Sequence, residues 1–97
     1  MQFQTSFVPG TPKLAYDLGG EGPPVVFVHG IGGNKTNWHR QMKALTDRFT
    51  VHAWDARGYN ESGDYDGPLA FEDFSHDLNR FLDHLGVEKA HLLGLSM

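Results

Sequence analysis

The sequence predicts an α/β fold with a mostly parallel sheet whose first strands are antiparallel. Three observations carry this expectation. Short apolar runs alternate with longer segments of helical period, glycine-rich punctuation separates them, and no repeat or low-complexity segment breaks the order.

The elements follow in turn. Residues 3–8 and 14–18 read as two short strands around the turn Pro9-Gly10-Thr11-Pro12, an antiparallel hairpin at a sheet edge. Val25-Val26-Phe27-Val28 is an uninterrupted apolar run between Pro23-Pro24 and His29-Gly30, the composition of a strand covered on both faces. Thr36 or Asn37 is placed to cap a helix whose residues Trp38, Met42 and Leu45 fall on one face. Residues 49–54 form the next strand, followed by a long loop over 55–68 rich in Gly, Asp and Tyr. Phe71, Phe74, Leu78, Phe81, Leu82 and Leu85 mark a second helix, with Glu72 and Asp73 in its first turn and His84 before Gly86 at its end. Ala90-His91-Leu92-Leu93 reads as another buried strand and runs into Gly94-Leu95-Ser96-Met97.

Composition excludes several classes. The chain has 97 residues, 39% hydrophobic and 21% charged, and no cysteine. This describes a water-facing polypeptide the size of one small domain. Such a chain buries roughly 60 to 70% of its unfolded surface, which permits a core with a narrow margin. Eight Lys and Arg against twelve Asp and Glu give a net charge of −4 without a basic block, so nucleic acid is not an expected partner. The lack of cysteine removes disulfide frameworks and thiolate metal sites and agrees with a reducing compartment, so a cytoplasmic protein is expected. No basic-then-apolar leader opens the chain and no span nears the roughly 20 apolar residues of a membrane helix, so no membrane partner is expected. Asn34-Lys35-Thr36 and Asn60-Glu61-Ser62 match the N-glycosylation pattern and are read as chance matches.

Three patterns stand at the carboxyl ends of successive expected strands: His29-Gly30-Ile31-Gly32, Asp55-Ala56-Arg57-Gly58 and Gly94-Leu95-Ser96-Met97. That edge is where open α/β sheets bind ligands. A serine at a sharp strand-to-helix turn exposes its Oγ when small neighbours relieve the turn, and Gly94 supplies the upstream one. A serine after an apolar strand is more commonly a helix cap. Its position about 65 residues after the His29 stretch, with strand, helix, strand, helix and strand between, favours the nucleophile.

In these stretches the chain resembles the α/β-hydrolase family, in its serine esterase, lactonase and carbon–carbon bond hydrolase branch. Gly94-Leu95-Ser96-Met97 matches four positions of the nucleophile elbow G-x-S-x-G, whose closing glycine would be the following residue. His29-Gly30-Ile31-Gly32 resembles the H-G-x-G oxyanion loop. Asp55-Ala56-Arg57-Gly58-Tyr59-Asn60-Glu61-Ser62 resembles the loop D-x-R-G-x-G-x-S, with Asn60 in place of a glycine.

The resemblance implies Ser96 as nucleophile and the N–H groups of Ile31 and Met97 as the oxyanion hole. His29, Gly30, Gly32 and Gly94 support it, and Asp55 and Arg57 organise backbone near the elbow. The implied reaction is acyl transfer from a small-molecule ester, lactone or similar substrate to water, with no cofactor and no metal. In the family's order the acid and the histidine base follow the serine. Residues 1–97 are therefore expected to be the N-terminal segment of a single hydrolase domain with an incomplete sheet, nearly inert alone. A complementary chain or C-terminal segment is expected to carry the Asp and His. A small-ligand receptor on the same fold is the alternative.

Other patterns carry less. Glu72 and His76 are spaced i, i+4 on the second helix, but no H-E-x-x-H is present and a solvated face is expected. His39, His52, His84 and His91 have no evident partner, and Trp38, Trp54 and the phenylalanines read as core. The stretch from Gly30 to Thr36 departs from the P-loop pattern at His29 and Asn34, and from G-x-G-x-x-G at Lys35.

Overall fold

The computed structural model describes residues 3–29, 33–59, 61–63, 71–87 and 91–94. Strands β1 (Gln4–Val8), β2 (Leu14–Gly20), β3 (Pro24–Val28), β4 (Thr50–Trp54) and β5 (His91–Gly94) form one sheet in the order β1-β2-β4-β3-β5. β1 pairs antiparallel with β2, and β2 antiparallel with β4. β3 lies between β4 and β5 and is parallel to both. The expected α/β fold, with its antiparallel entry hairpin and parallel centre, is present.

Alternation along the central strands feeds two apolar layers. Val25 and Phe27 of β3, with Val51 and Ala53 of β4, pack against Trp38 and Met42. Met42 lies in α1 (His39–Leu45), which follows a 3₁₀ turn over Lys35–Trp38. Val26 and Trp54 face the opposite side and pack with Leu14, Tyr16 and Phe81. Phe81 belongs to α2 (Phe71–Leu85), whose Phe74, Leu78, Leu82 and Leu85 cover the same layer. The uninterrupted apolar run of β3 thus has a cause: both of its faces are covered, and each fully buried Val or Phe contributes about 1.5–3 kcal/mol. The Phe71 side chain lies outside the described residues.

Strands β1, β3 and β4 each begin one residue from the expected position, and larger differences at β2 and at the first helical cap have a physical reason. β2 runs on to Gly20, because Gly19 and Gly20 still pair with Val51 and Thr50 of β4. At Gly20, φ is +86° and a Cβ would stand 2.3 Å from the Phe49 carbonyl oxygen, so only glycine lets the two backbones meet. The cap of the first helical segment is Asn34, not Thr36 or Asn37. Its side chain accepts from the Thr36 N–H at 2.9 Å, while the Asn37 side chain accepts from the Asn34 N–H at 2.7 Å. β5 begins at His91 and ends on Gly94, one residue later than read from sequence.

Leu92 of β5 is 52% exposed, against the reading of residues 90–93 as a buried strand. Among the described residues β5 has a neighbour on the β3 side alone and forms the sheet edge. At the α2 face of β4, His52 breaks the apolar pattern. It is 5% exposed, its ring lies 6.4 Å from those of Tyr16 and Phe81, and its Nδ1 has no hydrogen-bond partner among the described residues. Burial pushes the His52 pKa down. No helix among the described residues is long and apolar enough to cross a membrane.

Candidate active site

Because β3, β4 and β5 are parallel, the segments that follow them leave from one edge of the sheet. His29 follows β3, Asp55 follows β4, and Gly94 closes β5. Val28 is paired with Gly94. The His29 stretch and the Gly94 stretch therefore depart from neighbouring strands about 4.8 Å apart. A Cβ on Gly94 would come within 2.9 Å of Val28 Cγ2, so the close fit of β5 against β3 at this point needs glycine.

His29 is 2% exposed. Its Nε2 accepts the Ala56 N–H at 3.0 Å, and its ring lies 4.8 Å from that of Tyr59. A ring nitrogen that accepts a hydrogen bond carries no proton, so Nε2 is committed to the loop after β4. The bond ties His29 to that loop and leaves that nitrogen unavailable to activate a serine.

Asp55 is fully buried and organises the same loop. Its Oδ1 accepts the Lys35 N–H at 2.7 Å and its Oδ2 accepts the Glu61 N–H at 3.2 Å. Ser62 completes the closure: its hydroxyl donates to the Asp55 carbonyl and accepts the Ala15 N–H at 2.8 Å. The D-x-R-G-x-G-x-S resemblance thus has a structural content in its first and last members.

Arg57 reaches from the same loop to α2. It grips Asp77 of that helix, Nε to Oδ2 at 2.6 Å and Nη2 to Oδ1 at 2.8 Å. Asp77 is fully buried, so its charge requires a cation, and Arg80 adds a second contact at 3.1 Å. Arg80 also donates to the carbonyls of Pro9 and Pro12, at 3.1 and 2.9 Å, tying α2 to the β1–β2 turn. The hydrogen bond to Asp77 and the charges of Asp77 and Asp73 outweigh burial and raise the Arg57 pKa.

A second buried charge cluster adjoins Asp55. Lys35 is 2% exposed, and its Nζ lies 2.6 Å from Glu61 Oε1, 3.6 Å from Asp55 Oδ2 and 3.8 Å from Asp17 Oδ1. Burial alone would lower its pKa; the hydrogen bond to Glu61 and the charges of Asp55, Asp17 and Glu61 together raise it. Asp17 also holds His39 Nε2 at 2.6 Å and accepts from the Thr5 hydroxyl at 2.5 Å. His39 therefore has a partner that sequence did not reveal.

Of the site residues expected from sequence, His29 and Gly94 are placed at the carboxyl edge as expected. Gly30, Ile31, Gly32, Ser96 and Met97 lie outside the described residues, as do Asn60 and the His91 side chain. Glu72 and His76 are exposed, in keeping with a solvated helix face. Sequence reasoning missed Lys35, Asp17 and Asp77. A faint signal existed for Asp17, a lone charge in an otherwise apolar strand.

The chain matches the alpha/beta hydrolase fold family over residues 23–97 and belongs to it. RutD of Azorhizobium caulinodans, a protein named for carbamate hydrolysis, is 36% identical over 85 residues, 88% of this chain and 32% of the relative. The dihydrolipoyllysine-residue acetyltransferase component of the acetoin cleaving system of Pseudomonas putida is 41% identical over 83 residues, 84% of this chain and 22% of the relative. The crystal structure of E-2-(acetamidomethylene)succinate hydrolase superposes with a TM-score of 0.89 at 31% identity, covering 96% of this chain and 35% of that one. The chain thus spans about a third or less of the length of these relatives.

Proposed function

We propose that residues 1–97 are the nucleophile-bearing segment of a cytoplasmic serine hydrolase that cleaves an ester, lactone or similar acyl bond. The observation that carries this reading is the Val28–Gly94 pairing. It starts the H-G-x-G stretch and the G-x-S stretch from adjacent positions of two parallel strands. An oxyanion hole that draws one N–H from each stretch requires such a common origin.

In the proposed mechanism Ser96 Oγ attacks the acyl carbonyl after a histidine takes its proton, and the N–H groups of Ile31 and Met97 bind the oxyanion. Collapse expels the alcohol or amine, which receives the proton, and water then releases the acid and regenerates the serine. His29 Nε2 is occupied by Ala56, so the base and its orienting acid come from a complementary segment. A carbamate, an acetyl group and an acetamido group, which the relatives' names carry, each present an acyl carbonyl, and this supports the substrate class.

Hydrolysis of p-nitrophenyl acetate by the complete protein tests the reading. Turnover is expected to fall by about 10⁴-fold or more in Ser96→Ala. An unchanged rate in that variant removes Ser96 from the role.

A further inference from the structure

We propose that Lys35 is a positioning residue for the acyl-transfer step, its buried ammonium pinning the segment after the 29–32 stretch to the loop after β4. The inference rests on the hydrolase reading above and assigns it a residue outside the three stretches that carry the hydrolase resemblance.

Three observations support it. Lys35 is gripped from both ends: its backbone N–H donates to Asp55 at 2.7 Å, and its Nζ contacts Glu61, Asp55 and Asp17. Those carboxylates come from two separate places, β2 and the loop that also carries Ala56, the donor to His29. One ammonium therefore couples the far side of the H-G-x-G stretch, through Asp55 and Glu61, to the loop that fixes its near side through His29. Ile31, the expected oxyanion donor, lies between these two anchors in sequence.

The chemistry of the cluster favours geometry over stability as its purpose. A buried ion pair is weak evidence for stability, since well-packed apolar residues often serve as well, whereas it does fix a single arrangement of the segments it joins. Here one cation faces the carboxylates of Asp17, Asp55 and Glu61, with His39 on the far side of Asp17. The Lys35 ammonium thus contacts all three of these carboxylates.

The test compares Lys35→Met and Lys35→Arg with wild type in the complete protein, measuring kcat and KM for p-nitrophenyl acetate and the folded fraction at the assay temperature. Lys35→Met is expected to lower kcat by about 10- to 100-fold with KM within about threefold, because a displaced donor weakens transition-state binding and spares the ground state. Lys35→Arg, which keeps the charge, is expected to recover at least half of the lost rate on a logarithmic scale. A folded Lys35→Met with unchanged kcat overturns the proposal and leaves the hydrolase reading intact. If Lys35→Met does not fold, Glu61→Gln decides, since Glu61 is the solvent-facing member, with a side chain 50% exposed. A lowered kcat at constant KM supports the proposal, and an unchanged kcat overturns it. Wild type without Ser96-dependent turnover overturns both readings together.

Discussion

Val28 Cγ2 occupies the space that a side chain on Gly94 would need, 2.9 Å from the position of its Cβ. The last residue of β5 is thereby seated against the last residue of β3. A β-branched neighbour is stiff at χ1 and cannot simply swing aside. Gly94→Ala is expected to destabilise the protein by about 1–3 kcal/mol. Val28→Ala should relieve the clash, so the double variant should lose less than the sum of the two singles by at least about 0.5 kcal/mol in chemical denaturation. Strict additivity would mean that the two residues do not compete for the same space.

The Arg57–Asp77 pair gives a second prediction. Asp77 is fully buried and Arg57 supplies two of its hydrogen bonds. Arg57→Met should cost about 3 kcal/mol, because the carboxylate stays behind with Arg80 as its remaining cation. Adding Asp77→Leu should restore much of the loss. A single variant within about 0.5 kcal/mol of wild type would show that the pair does not hold α2 to the loop.

His52 makes stability depend on pH. Burial holds its pKa below the ordinary 6.5, so the folded chain keeps the ring neutral while the unfolded chain takes up a proton as the pH falls past that value. The unfolded state binds more protons in that window, and stability therefore declines as the pH drops below about 6.5. The contribution of this one group is no steeper than about 1.4 kcal/mol per pH unit. His52→Phe should flatten the profile by that component, measured as denaturation midpoints from about pH 7 to about pH 5. Parallel profiles for the two proteins would contradict the assignment.

What sequence reveals here follows the range of the forces involved. The central strands and α2 were legible because burial leaves local marks, a short continuous apolar run in Val25 to Val28 and a 3.6-residue period from Phe74 to Leu85. The position of His29 and Gly94 at the carboxyl edge was legible because both residues directly follow or close a short apolar strand. Lys35 with Asp17, and Arg57 with Asp77, were not legible. Their partners are 18 and 20 residues apart in sequence and meet through the crossing of elements, which no local pattern encodes. The Asp55 contact to the Lys35 N–H, beside the Asn34 cap, is another long-range partner of that kind.

Ser96 is the proposed nucleophile. Incubation of the complete protein with a fluorophosphonate, followed by proteolysis and peptide mass mapping, reads this directly, because an activated serine forms a stable phosphonyl adduct with loss of fluoride. The adduct is expected on the peptide containing Ser96 and on no other serine, and it should disappear in Ser96→Ala. A modified serine elsewhere, or an unmodified Ser96 in protein that still hydrolyses p-nitrophenyl acetate, would contradict the account.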